Sequence, residues 1–145
     1  MEFDLSQIKL SRNDIKRGLT LPKKSSEELA EFIGILAGDG YINYDPKKYS
    51  YIIEVAGNKI LDKDYLENYT RKLIKSLFNI DCRIYYKKNE DTTCIRILSK
   101  GIFYYLTALG FKNGKKEKIG IPNWILSDDT LMLAFTKGLI DTDGF

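Results

Sequence analysis

The spacing of apolar residues predicts an α+β domain: one antiparallel four-stranded sheet in the order αββαββα, followed by a terminal helix. Three observations predict it. Runs rich in β-branched and aromatic residues come in two pairs, each joined by turn-forming residues. Segments of helical spacing precede, separate and follow those pairs. Gly, Pro and acidic turn clusters mark the breaks between them.

In chain order, residues 1–24 read as a basic N-terminal extension and linker: a short helix over 11–17 stops at Gly18, and Pro22 with Lys23 and Lys24 follows. Ser25, three residues before Glu28, reads as a capping box for a helix on which Leu29, Phe32, Ile33 and Leu36 recur at helical spacing. Gly38-Asp39-Gly40 stops that helix. Strands over 41–44 and 49–56 flank Asp45-Pro46, and Gly57-Asn58 ends the second. Tyr65, Leu66, Tyr69, Leu73, Leu77 and Phe78 predict an amphipathic helix over 63–78. Strands over 82–88 and 92–98 flank Asn89-Glu90-Asp91, a hairpin signal. A helix over 101–109 ends at Gly110, and a basic loop over 112–118 leads to Ile121-Pro122. Ser127-Asp128-Asp129 caps the last helix, with acid in its first turn where the macrodipole favours it.

Composition narrows the chemistry. The 145 residues are 43% hydrophobic, enough for one packed core. There is no His, so acid–base or metal chemistry must use carboxylates, Lys, Tyr or water. The net charge of +3 is compatible with nucleic acid but equally with a solvated surface. Two Cys without a C-x-x-C pair, and the lack of a secretory signal, predict a reducing, cytoplasmic setting. Alternation puts Cys82 and Cys94 on opposite faces of the sheet, which disfavours a disulfide. No apolar run approaches the ~20 residues of a membrane span.

One short pattern occurs twice: FIGILAGDG at 32–40 and TKGLIDTDG at 136–144. The two Asp residues, 39 and 143, are 104 positions apart (143 − 39), and the same offset maps Gly34 onto Gly138, Gly38 onto Thr142 and Gly40 onto Gly144. Gly34 and Gly38, four apart, form a small-residue stripe that lets another helix approach closely; Gly138 and Thr142 form its counterpart. Two such helices, packed side by side and parallel, would bring Asp39 and Asp143 to one end. A carboxylate there faces the negative end of the macrodipole, at a cost of about 0.3–1 kcal/mol per helix. Two carboxylates together also repel. A divalent cation reverses both terms, because hard oxygen ligands suit Mg²⁺. The plainer alternative makes each Asp-Gly a C-terminal turn with left-handed Gly. A calcium EF-hand fits poorly, since Ala37 stands where the first copy would need an acid.

Both segments resemble the LAGLIDADG (dodecapeptide) motif of homing endonucleases, and the element order is similar to that family's repeat. The resemblance covers residues 25–145 and implies a first repeat over 25–126, with 127–145 opening a truncated second one. It implies that the motif helices pair, from one chain or from two subunits as a homodimer, beneath a sheet that forms a saddle over double-stranded DNA. It further implies that Asp39 and Asp143, with the backbone of Gly38 and Thr142, hold catalytic Mg²⁺ (or Mn²⁺). Basic residues near the metals would be Lys118 and, second, Lys116. The activity implied is site-specific phosphodiester hydrolysis leaving 3′-hydroxyl and 5′-phosphate ends, with neither a membrane nor a small-molecule substrate involved. Ala37 departs from the Asp of many members, but at a position that is not the metal ligand. The second repeat lacks its saddle, so a chain of this length would hold about half of a target site. A non-catalytic DNA- or RNA-binding relative, such as a regulator or intron maturase, is the alternative. A purely structural dimer on the Gly stripe is a third. An intein is disfavoured by the lack of a Cys or Ser start and a terminal Asn.

Alternation also assigns the faces of the sheet. Arg83, Tyr85 and Lys87 alternate with Ile84 and Tyr86, and Arg96 alternates with Ile95 and Ile97, so the polar set should face the groove. Tyr41, Asn43, Ser50 and Glu54 are its expected companions on the first two strands. Arg reads guanine edges best, which selects Arg83 and Arg96 for base contacts. Lys87, Lys88, Lys115, Lys116 and Lys118 suit phosphates.

Overall fold

The sheet forms as expected, all antiparallel, its strands side by side in the order β1 (Gly40–Asp45), β2 (Ser50–Asn58), β4 (Thr92–Leu98) and β3 (Arg83–Tyr86). The computed structural model describes residues 1–58, 65–86, 92–111 and 121–143. Its elements are α1 (Arg12–Lys16), α2 (Glu27–Asp39), β1 (Gly40–Asp45), β2 (Ser50–Asn58), a π-helical stretch (Tyr65–Thr70) running into α3 (Arg71–Phe78), β3 (Arg83–Tyr86), β4 (Thr92–Leu98), α4 (Lys100–Ala108), α5 (Asn123–Leu126) and α6 (Asp129–Asp143). The helix expected over 63–78 is thus wider-wound in its first part. The short α5 after Pro122 was not anticipated.

Helix α2 is the spine of the core. Leu29, Phe32, Ile33, Ile35 and Leu36 are all fully buried, which no single apolar stripe would produce. One side meets the inner face of the sheet, where Ile42, Ile53, Val55, Ile95 and Ile97 lie buried; other sides meet α3 and α6. Each such side chain contributes roughly 1.5–3 kcal/mol of burial. Its cap is Ser26, not Ser25: the Ser26 hydroxyl accepts from the Leu29 amide at 3.1 Å. Ser25 instead accepts from the N-terminal amine at 2.9 Å. Asp128 caps α6, its Oδ1 accepting from the Thr130 amide at 2.9 Å.

Residues 1–24, expected as an extension and linker, pack into the domain. Phe3 sets its ring edge-on to Trp124 and Tyr105, Leu19 joins the core, and the Tyr105 hydroxyl donates to the Pro22 carbonyl at 2.8 Å. The fastening is Asp14, fully buried. It accepts from the Gly101 amide (2.8 Å), the Ser99 hydroxyl (2.9 Å), the Ser11 amide (3.1 Å) and the Arg17 guanidinium (2.9 Å). Burial works against its charge, but these donors outweigh it and hold the carboxyl below its ordinary range. Cys82 and Cys94 are both free thiols, as the faces predicted. Among the described residues no helix is long and apolar enough to cross a membrane.

Candidate functional site

The two motif helices pack on each other through their glycines, within the one chain. A Cβ on Gly34 would strike the Phe135 carbonyl oxygen and lie 3.1 Å from the Leu139 nitrogen. A Cβ on Gly138 would strike the Glu31 carbonyl oxygen and lie 3.0 Å from the Ile35 nitrogen. Shifting the first set by 104 residues yields the second, so the pair has a local two-fold symmetry. The helices run in the same direction, because the N-terminal part of α2 (Glu27, Glu28, Glu31) and that of α6 (Thr130, Leu133, Ala134) line one cleft. The close face of α2 is therefore occupied by α6 of the same chain, the first of the two pairings the resemblance implied.

Parallel packing places both C-terminal ends together. Asp39, half-buried, is the last residue of α2, and α6 runs through Thr142 to Asp143. Gly40, the C-cap, has φ −118°, so the left-handed turn that would make Asp-Gly a mere helix stop is absent from the first copy. Glycine is required there by space: a Cβ would lie 2.8 Å from the Leu36 Cα and 3.0 Å from the Glu54 carbonyl oxygen. Neither helix carries a basic residue in its last turn. An acid at that end therefore works against the dipole, and no basic residue of its own last turn offsets it. Carboxylates and carbonyl oxygens are the hard donors that Mg²⁺ prefers. Among the described residues no three acidic, Cys or His side chains cluster.

The register confirms the polar face. Tyr41 pairs with Glu54, Glu54 with Arg96 and Arg96 with Arg83, one row across all four strands; Asn43, Ile52 and Leu98 form the next row outward. Tyr85 lies on the same face opposite Cys94, and Ser50 at the hairpin opposite Asp45. Arg83, Tyr85, Arg96 and Asn43 are exposed. Arg83 lies directly opposite Arg96, a like-charge pair whose repulsion the Glu54 carboxylate on Arg96 reduces. Lys87, Lys88, Lys115, Lys116 and Lys118 lie outside the described residues.

Glu54 departs from its expected role. It is 1% exposed and does not reach the surface of the face. Its Oε1 accepts from both Nε (3.0 Å) and Nη2 (2.9 Å) of Arg96, and that bond holds Arg96 protonated above its ordinary range. Tyr41, half-buried, is pushed up to about 12, first by burial and then by the Glu54 carboxylate. Alternation alone could have placed Glu54 on this face but not beneath it.

A second cluster, unforeseen, straddles the helix pair beside Gly138, between Glu31 of α2 and Lys137 of α6. Lys137 donates to Glu31 (3.2 Å) and to the Tyr69 hydroxyl (3.1 Å), Tyr69 also bonds Glu31, and the ammonium sits 4.7 Å from the Tyr69 ring centre. Burial works against the ammonium, but these partners outweigh it and raise its pKa.

No family model matches the chain. Among curated sequences it is similar to the uncharacterized protein MJ0314 of Methanocaldococcus jannaschii, 31% identical over 90% of this chain and 46% of that protein. It is 32% identical to a segment of the small subunit of replication factor C of the same organism, over 82% of this chain and 6% of that protein. A third relative is a subunit of the A-type ATP synthase of Pyrococcus abyssi, 30% identical over 96% of this chain and 13% of that protein. The chain thus spans less than half the length of these relatives. Among solved structures, it is similar to I-DmoI in complex with DNA and Mn (TM-score 0.55, 20% identity, 80% of this chain and 61% of that one). I-DmoI with DNA and Ca aligns at TM-score 0.54 and 21% identity, over 80% of this chain and 56% of that one. Mesophilic variants described as from the homing endonuclease I-DmoI align at 0.55 and 20%, over 80% and 61%. The α+β architecture, with its four-stranded antiparallel sheet, is thus similar to the fold of the part of the homing endonuclease I-DmoI with which it aligns.

Proposed function

We propose that this chain is a LAGLIDADG-type, site-specific and divalent-metal-dependent DNA endonuclease, or the DNA-binding half of one. The observation that carries the reading is the symmetric contact of Gly34 and Gly138, which brings the ends of both motif helices to one place. Asp39 and Asp143 would hold Mg²⁺ or Mn²⁺ there, helped by the carbonyls of Gly38 and Thr142. When bound, such an ion activates water and stabilises the leaving oxygen of a phosphodiester. The protein's own part is to fix the acids against the dipole and to lay the duplex on the polar face. Arg83, Arg96, Tyr85 and Asn43 would meet the groove, with Lys87, Lys88 and Lys115 on phosphates. Lys118 and Lys116 are the basic residues we assign beside the scissile phosphate.

Segments like this one occur within a replication factor C protein and within an ATP synthase protein, of which they make up a small part. Proteins with such different tasks have the segment in common, not the task, which suits a mobile insertion. The test is nicking of long duplex DNA in Mg²⁺. Wild type should nick, and Asp39→Asn should not. Binding that weakens steeply with salt, without any metal-dependent cleavage, would instead support the regulator or maturase reading. Cleavage persisting in Asp39→Asn would remove the metal assignment.

A further inference from the structure

Resting on the DNA reading above, we propose that Glu54 is a positioning residue for specificity: it aims Arg96 at a guanine. The guanidinium has five N–H groups in a rigid fork. Glu54 Oε1 takes Nε and Nη2, the side edge of that fork, at 3.0 and 2.9 Å. What the carboxylate leaves is the end of the fork, Nη1 with the second Nη2 hydrogen, with the Tyr41 hydroxyl near both Glu54 and Arg96. That edge makes the two-point contact with O6 and N7 of guanine.

The burial pattern supports division of labour between the two residues. Glu54 is 1% exposed while the Arg96 side chain is 42% exposed, so the acid lies beneath the face and the base upon it. Tyr85 flanks the guanidinium, its ring centre 6.0 Å from Cζ. A long side chain on an open sheet face otherwise spends its freedom on many rotamers, all of which must be surrendered on binding. Holding it beforehand reduces that loss and rejects bases that cannot accept from both tines. Arg83, across the strand pair, has no such carboxylate opposite it in the register. Arg96 is accordingly the reader of one defined base pair, and Arg83 the less constrained neighbour.

The experiment uses the full chain and a pool of duplexes with a randomised window of about twenty base pairs, at low salt and without cleavage-supporting metal. Bound and unbound fractions are sequenced for wild type, Glu54→Gln, Arg96→Lys and the double variant, and thermal unfolding is recorded for each. Wild type should prefer guanine at one position. Arg96→Lys should lose that preference by roughly ten- to a hundredfold. Glu54→Gln should relax the same base pair and no other, and the double variant should be no worse than Arg96→Lys. A general loss of fold would weaken all positions together, so selectivity at one base pair separates positioning from structure. The proposal is overturned if Glu54→Gln leaves the guanine preference intact or weakens every position equally, or if Arg96→Lys retains it. Salt-dependent binding without any base preference overturns it while sparing the DNA reading. No binding to any duplex removes both.

Discussion

At their N-terminal ends, α2 and α6 obey every electrostatic preference of a helix. Ser26 and Asp128 cap them, and Glu27, Glu28 and Asp129 occupy the first turns. At their C-terminal ends the same two helices do the opposite. Neither has a basic residue in its last turn, and each ends on aspartate. Since one packing interface joins both ends, the contrast cannot arise from differing burial of the helices as a whole. The proposed metal site gives that contrast a reason, since a divalent cation would offset carboxylates at the negative end of the dipole.

The sharpest way to break this contrast is to separate the helices. Gly34→Ala and Gly138→Ala each drive a methyl into a backbone carbonyl of the facing helix and should each destabilise by about 1–3 kcal/mol or more. Because the contacts are related by symmetry, the two losses, measured by urea unfolding, should be similar. A severe loss at one glycine with none at the other would contradict the symmetric seam.

Asp14 offers the next largest effect, in a region that touches neither helix end. Its folded pKa is lowered, so its stabilisation is present above the ordinary Asp value near 3.9 and is lost as pH falls through the folded value. Asp14→Asn should flatten the acid limb of the stability curve and cost stability at pH 7, read as a lower Tm. Equal acid sensitivity in both proteins would contradict the assignment. Smaller still is Lys137→Met, which should cost about 1 kcal/mol at neutral pH. Its pKa is raised, so this contribution is complete below the ordinary Lys value and disappears as pH climbs past the folded one; the difference in Tm between wild type and variant should narrow in strong alkali.

Local chemistry made the element order readable, because strand alternation, helical spacing and turn residues each span only a few positions. The partnership of the motif helices was readable too, since matched small residues leave few other uses for such a stripe. What escaped were contacts between distant residues. Asp14 binds Ser99 and Gly101, and Phe3 packs on Trp124, so the N-terminal segment looked like a linker when only its own basic residues were considered. Glu54 could be placed on the groove face by alternation, but its burial depends on Arg96, whose position opposite it becomes known only with the register. Ser25 and Ser26 differ by one position and only the backbone chooses between them. The π-helical turn at Tyr65–Thr70 leaves no trace in apolar spacing.

The central claim is that the acids at the joined helix ends are there for a divalent cation. Thermal unfolding of wild type and Asp39→Asn, with and without Mg²⁺ or Mn²⁺, tests it without requiring a DNA target. The metal-free Tm of each protein is its own baseline, and the readout is the shift that metal adds to it. With millimolar metal, wild type should gain Tm and Asp39→Asn should not. An Asp39→Asn variant that gains as much Tm with metal as wild type does would contradict the account.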